Sequence, residues 1–135
     1  MANTYTYDAA LVTLVVNGRF ITGFAEGSMV EAEKDEDNFE TKVSAQGDVG
    51  IAKRNNTLGT ITVILMQGSP DVLYLNALAN SGQMVPVWAQ SNGENAEKVG
   101  GTQAMVKKPA DVEFSDEISE REFEFQVFDY TVQGN

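Results

Sequence analysis

Thr57 to Ser81 reads TLGTITVILMQGSPDVLYLNALANS, a strand that runs directly into a capped helix. Ile61, Val63 and Leu65 recur at period two, with Thr60 and Thr62 on the opposite face. Ile64 and Met66 make the second half of the strand apolar on both faces, so both are expected to be covered there. Ser69-Pro70-Asp71 supplies an N-cap, a proline at the first helical position and an acid in the first turn. Gly82 supplies the stop. Within the helix, Val72, Leu75, Leu78 and Ala79 form one apolar stripe, and Leu73, Tyr74 and Ala77 widen it around most of the circumference. A helix that is apolar nearly all round is normally buried. A small β-domain offers little interior for one, so Leu73 and Tyr74 are expected to be covered by a neighbouring subunit.

Outward from this stretch the chain reads as mostly β. Residues 1–10 are polar and aromatic and read as an arm. Leu11 to Val16 and Arg19 to Phe24 flank Asn17-Gly18, a strong two-residue hairpin signal. Ser28 to Lys34 alternates, with Val30 and Ala32 opposite Met29, Glu31 and Glu33. Asp35 to Asn38 reads as a polar turn, and Phe39 to Ala45 as the next strand, with Thr41 and Val43 opposed to Glu40 and Lys42. Gly47 to Asn56 reads as a loop. After the helix, Gln83 to Gln90 is a predicted strand whose Pro86 argues for an edge or a bulge. Ser91-Asn92-Gly93 turns the chain, Lys98 to Lys108 is a strand interrupted by Gly100-Gly101, and Pro109 ends it. Arg121 to Val132 is the last strand, with Phe123, Phe125 and Val127 on one face and Glu122, Glu124 and Gln126 on the other.

At 135 residues this is one domain, large enough for a core. No basic stretch followed by an apolar run opens the chain, so no signal peptide is expected. There is no cysteine, which excludes disulfides and thiolate metal sites, and no histidine, which removes Ser-His-Asp and Cys-His chemistry. The net charge of −11 is unevenly placed. Glu31 to Glu40 nets −5 and Asp111 to Glu124 nets −6, so the rest of the chain is neutral. Clustered Lys and Arg of the kind that grips phosphates are absent. Acidic zones serve solubility in many proteins; they also make a surface to which polyanions do not stick.

Several local patterns have plain explanations. Asp35 to Glu40 has a calcium-loop flavour but lacks the alternating ligands and the glycine, and reads as a solvated turn. Gly100-Gly101 has no phosphate-loop context. Asn55-Asn56-Thr57 is only a formal glycosylation sequon. Trp88 reads as core or interface. No catalytic residue, metal site or cofactor is expected, and the chain is read as non-enzymatic.

The run GDVGIAKRNNTLGTITVILMQGSPDVLYLNALA, Gly47 to Ala79, resembles the central segment of the tail tube proteins of contractile-tailed bacteriophages. The residues that carry the likeness are Gly47, Lys53 to Asn56, Thr60, Thr62, Leu65, Gln67, Ser69, Pro70, Leu75, Leu78 and Ala79. The run covers about a quarter of the chain. The resemblance implies an antiparallel β-sandwich or half-barrel with one helix on its flank. Six subunits would close into a ring whose inner strands pair edge to edge as one continuous β-barrel. Rings would stack into a hollow tube inside a sheath, which guides DNA and perforates the envelope on contraction. It implies as partners further copies of the chain, the sheath protein, and baseplate and tail terminator proteins, with DNA only as transient, non-sticking cargo. No stable membrane association is implied. The location would be the virion tail, assembled in the bacterial host cytoplasm.

On that basis Glu31, Glu33, Glu40 and Lys42 are expected to face the channel, from consecutive strands that point the same way. The Gly47 to Asn56 loop, through Lys53 and Arg54, is expected to stack on the next ring, with the arm and the acidic 111–120 segment as receivers. Two other readings share these observations. One is the tube protein of a type VI secretion system or contractile bacteriocin. The other is a monomeric β-sandwich binding module with Trp88 and the tyrosines as platforms.

Overall fold

The computed structural model describes residues 9–25, 27, 30–92 and 96–134. After a short 3-10 turn, Ala9–Leu11, the described elements are β1 (Val12–Val16), β2 (Arg19–Phe20), β3 (Val30–Lys34), β4 (Phe39–Val43), β5 (Val49–Lys53), β6 (Gly59–Met66), α1 (Asp71–Ser81), β7 (Val85–Ser91), β8 (Glu97–Val106), β9 (Glu120–Val127) and β10 (Thr131–Gly134). Residues 1–8 of the expected arm, Met29 of the third strand and Gly93 of the expected turn lie outside the described residues. Eight strands form one antiparallel sheet in the order β2-β1-β7-β8-β9-β6-β3, with β10 beside β8, while β4 and β5 form a separate pair.

The large sheet curls around one core. Leu14 and Val16 of β1, Val85 and Val87 of β7, Ile61, Val63 and Leu65 of β6, and Phe123 and Phe125 of β9 all belong to a single buried cluster. The sheet does not close into a barrel. Among the described residues its two ends are linked by the segment after β2, where Phe24 bridges Leu65 and the Ala25 amide donates to the Ile64 carbonyl. β6 alternates as expected, with Ile61, Val63 and Leu65 fully buried. The expected cover on the second face of its C-terminal half is incomplete: Ile64 is half-buried and Met66 is exposed.

The helix starts at Asp71, one residue later than expected, with Pro70 at the cap. The Ser69 hydroxyl still accepts from the Asp71 amide at 3.3 Å. Gly82 ends it in the left-handed conformation, as its place after Ser81 predicts. Val72, Leu75 and Leu78 enter the core, while Leu73 stays 80% exposed.

Three sequence expectations change in the structure. Asp35 to Asn38 does not reverse the chain: β3 runs on into β4, and both face the single run β5–β6. The reversal is at 44–48, where the Ser44 amide donates to the Asp48 carbonyl and Gly47 takes a φ of 91°. The expected loop Gly47 to Asn56 therefore contains a strand, β5, in which Val49 and Ile51 alternate with Gly50 and Ala52. Second, β7 is interior, between β1 and β8, and Pro86 sits at a register shift in it, so the bulge reading holds and the edge reading does not. Third, β8 is continuous through Gly100-Gly101. A Cβ at Gly100 would overlap the Val87 carbonyl oxygen, and one at Gly101 would overlap the Asp129 side chain and the Val127 methyls. These glycines serve close approach.

The last strand breaks at 128–130 and resumes as β10, in the same register on β8. Asp129 fills the break. Its carboxylate accepts from the Thr102 amide and hydroxyl and from the Gln103 amide at 2.6–3.0 Å. Burial pushes its pKa up, but these donors outweigh that and hold it below the usual carboxylate value. Tyr130 packs against Gly59, where no side chain could fit. Its own pKa is raised by burial and by the nearby Glu33 charge.

Candidate functional site

Three surfaces stand out as exposed among the described residues. The first is the outer face of β3, β6 and β9. Period-two alternation places Glu31 and Glu33 of β3 beside Thr62 and Thr60 of β6. The same threonines pair on their other side with Glu124 and Gln126 of β9, and Ile64 and Met66 pair with Glu122 and Glu120. Five exposed glutamates thus line this face, three beside the threonines and two beside Ile64 and Met66, on two strands about 10 Å apart. That spacing exceeds the Debye length of about 8 Å at physiological salt, so repulsion across β6 is largely screened, whereas successive glutamates on one strand, about 7 Å apart, still repel. Lys107, paired with Glu124 at 3.4 Å, gives partial relief. At one end of the face the Asp35 carboxylate accepts from Gln126 at 3.0 Å and from Thr60 at 2.7 Å. Those two bonds lower its pKa.

Glu31 and Glu33 are therefore brought together as expected, and Glu120, Glu122 and Glu124 join them. The period-two pattern from Glu120 to Gln126 already carried that signal; the pairing of β9 with β6 was missing. Glu40 and Lys42 do not join this face. They lie on β4, in the separate pair, because β3 runs on into β4 without turning back.

The second surface is the β4–β5 arm. Phe39, Thr41 and Val43 pair with Lys53, Ile51 and Val49, which makes one face apolar with a single charge, Lys53. Glu40 and Lys42 share the other face with Ala52 and Gly50. Every residue of both strands is exposed, including Phe39 at 55% and Ile51 at 66%. Arg54 reaches Glu40 at 3.2 Å and Glu36 at 3.8 Å, so its charge is used within the arm's own base. Exposed pairs of this kind contribute at most about 1 kcal/mol, and a lone two-stranded hairpin is marginally stable in water.

The third surface is the connection from β8 to β9. Val112, Phe114 and Ile118 are 57%, 80% and 72% exposed on a segment that also carries Asp111, Glu113, Asp116 and Glu117. This segment is anchored. Arg121 is buried, and its guanidinium donates to the Ser119 hydroxyl, the Glu120 carbonyl and the Glu113 carbonyl. It also stacks on Phe114, 5.7 Å from the ring centre. Gln67 holds Ser119 from the end of β6. From the sequence this segment stood out by its charge and as a receiver for stacking; its exposed apolar side chains were not singled out.

Tyr74 is half-buried, and its own chain supplies the cover: the Arg19 guanidinium lies 4.6 Å from the ring centre, and Asn17 donates to the hydroxyl at 3.4 Å. Arg19 also pairs with the buried Asp71 at 2.6 Å. The Thr22 amide and hydroxyl donate to the same carboxylate. The β1–β2 hairpin is thereby clamped to the start of α1, a contact that pattern reading missed because it joins residues about fifty apart. Trp88 is half-buried beneath Lys98, whose ammonium lies 4.4 Å from the ring centre. β3 and β10 each pair on one side only, leaving open edges among the described residues.

No family model matches this chain, and no curated protein matches it. Solved structures do. The chain is similar to the sheath/tube terminator of an extracellular contractile injection system, PVC, in its extended state (TM-score 0.65, 14% identity, 98% of this chain and 99% of that one). It is similar to the tube-terminating cap of the anti-feeding prophage AFP (TM-score 0.63, 14% identity, 100% of this chain and 95% of that one). It is also similar to a chain of the PVC sheath–tube complex in its extended state (TM-score 0.60, 14% identity, 97% of this chain and 93% of that one). At this identity the likeness is one of fold, and it runs nearly end to end: this chain has the fold found in components of contractile injection particles.

Proposed function

We propose that this chain is a structural subunit of a contractile tail or contractile injection particle, built into its tube. The observation that carries the reading is the outer face of β3, β6 and β9, where five glutamates lie together on a fold shared with tube-end proteins. Such a face concentrates negative charge on one wall, and it suits a channel that polyanions pass without binding. Copies arranged in a ring, six in number by the family resemblance, would turn this face to the lumen. The open edges of β3 and β10 are the strands that would pair around the ring, which removes the edges a lone sheet exposes. No chemistry at a site is needed; shape, charge and stiffness are the function. The sheath outside and the proteins at the tube ends are the remaining partners of this reading, and DNA or another polyanion is cargo.

A second reading, a tube-terminating cap, is favoured by the likeness to two proteins of that role. Negative-stain electron microscopy of the purified protein separates the two. Stacked rings support a tube subunit, single rings that do not stack support a cap, and a 14.7 kDa monomer at every concentration overturns both. The lumen assignment is tested by Glu31→Lys with Glu33→Lys. Assembly should persist and the tube should retain DNA that the native tube releases; side chains found on the outer wall by cryo-microscopy would refute the assignment.

A further inference from the structure

Among the described residues, Asn17 is the one residue other than glycine with a positive φ, 52°, and Gly18 follows it at 80°. They are the central residues of the β1–β2 hairpin, flanked by the pairs Val16–Arg19 and Val15–Phe20. Both φ values are positive, as in the commonest two-residue hairpin turn. The other favoured hairpin turn also holds its first residue at a φ of about +60°, but with ψ swung to about −120° and the second φ negative. Rotating the single peptide plane between Asn17 and Gly18 interconverts the two turns and leaves the flanking strands paired. In the observed turn the Asn17 side chain and the Gly18 nitrogen lie nearly opposite one another across the Cα–C bond. After the rotation they eclipse, and the nitrogen faces the side-chain carbonyl carbon.

We propose that Asn17 is a self-modification site, at which the turn converts its own amide to aspartate or isoaspartate. The Gly18 nitrogen attacks Asn17 Cγ. The N–Cγ bond forms, the Cγ–Nδ2 bond breaks, and Nδ2 leaves as ammonia with the proton that the Gly18 nitrogen gives up. Water then opens the cyclic imide. Opening at Cγ gives aspartate, and opening at the main-chain carbonyl gives isoaspartate. Four observations select this site. Both residues are exposed, so water and base reach them. The Gly18 amide has no acceptor among the described residues, and nothing lies within 4 Å of where its Cβ would stand. The Asn17 amide donates to the Pro86 carbonyl at 2.8 Å, which anchors the turn on one side and leaves the 17–18 peptide as the part that rotates. The leaving amide is held only by a bond of 3.4 Å to the Tyr74 hydroxyl. The second Asn-Gly pair is tied more firmly: the Asn92 amide and its Nδ2 both donate to the Leu11 carbonyl, at 3.1 and 3.0 Å.

The product acts on the clamp between hairpin and helix. Arg19 joins the Tyr74 ring to the buried Asp71 carboxylate. A carboxylate at position 17 competes with Asp71 for that guanidinium. Isoaspartate also lengthens the backbone by one carbon, which the two-residue turn cannot absorb while keeping the Val16–Arg19 pair. Conversion therefore loosens β1–β2 from α1, and it does not reverse.

The folded protein is incubated in mildly alkaline buffer and mapped by peptide mass spectrometry, with isoaspartyl methyltransferase labelling to score isoaspartate. Asn17 should convert first, at a rate of the same order as in the free peptide Val15–Phe20. Tyr74→Phe, which frees the amide, should speed conversion several-fold, and Asn17→Gln should abolish it. The converted protein should melt at a lower temperature than the native one. A folded protein that stays unmodified at Asn17 while the peptide converts would show that the turn does not rotate and would overturn the site. Conversion first at Asn92 would overturn it as well. Conversion at Asn17 with an unchanged melting temperature would overturn the effect on the clamp.

Discussion

The β3–β6 pair and the β4–β5 pair are successive lengths of one long antiparallel hairpin, and they meet opposite fates. In the body, Ile61 and Val63 are fully buried in the core cluster that also holds Leu75 and Leu78 of α1 and Phe123 and Phe125 of β9. In the arm, Val49 and Ile51 have the same residue types and the same period, and both are more than 60% exposed. Alternation therefore marks a face that needs cover without saying whose cover it is. A second hairpin makes the same point. β1–β2 is short as well, but Arg19, Thr22 and Asn17 fasten it to Asp71 and Tyr74 on α1. The arm has exposed ion pairs at its base and a backbone bond there from the Arg54 amide to the Asn38 carbonyl, but no buried anchor among the described residues.

The sharpest way to break this comparison is to cut a large side chain from each half. Phe125→Ala removes a fully buried ring from the body and should lower unfolding stability by about 3–5 kcal/mol in denaturant titrations. A loss under 1 kcal/mol would mean that the body is not the stable half. Next in size is the clamp. Arg19→Ala leaves the Asp71 carboxylate buried with only its Thr22 donors and should cost about 1–3 kcal/mol, since Arg19 itself is partly exposed.

Asp129 gives a smaller effect with a pH signature. Its folded pKa lies below the ordinary carboxylate value, so its contribution is present in full above that value, about 3.9, and is lost as pH falls through the lowered folded pKa. Asp129→Asn should cost about 1–2 kcal/mol near neutral pH and reduce the acid-side loss of stability. Equal acid limbs in variant and native protein would show that the Thr102 and Gln103 bonds do not report on folding. The smallest effect on the subunit should come from Ile51→Ala in the arm, within about 0.5 kcal/mol of native. Its consequence should appear instead in assembly, as fewer or shorter stacks by microscopy. A large loss of subunit stability would show that the arm is covered by its own chain in solution.

Much of the body was legible in the sequence because its elements are locally coded. Asn17-Gly18 takes positive φ at both residues and makes the two-residue turn. Gly82 stops the helix, and Phe123, Phe125 and Val127 face inward as their period requires. The misreadings share a cause. Gly47 and Gly50 made β5 look like a loop, although Val49 and Ile51 mirror Val43 and Thr41 across a turn. Gly100-Gly101 looked like an interruption because the Val87 backbone and Asp129 that crowd it arrive from distant strands. The cover that Arg19 gives to Tyr74 was also out of reach of pattern reading, because it comes from fifty-five positions away. The glutamate face was half visible: Glu31 and Glu33 were identified, whereas the share of Glu120, Glu122 and Glu124 depended on β9 lying beside β6.

The sequence by itself determined which residues alternate, where the chain can turn, that no histidine or cysteine chemistry is available, and that the negative charge sits in two zones. These are properties of single residues and of spacings of two to four, fixed by backbone geometry and side-chain type. Only the tertiary structure decided that the acidic strands β3 and β9 flank β6, that 35–38 carries the chain onward, and that the apolar arm and the 111–119 patch sit at opposite ends of the same strand. Strand partners and register are chosen by the burial of whole faces in one shared core, a cooperative sum over distant segments that no local window contains.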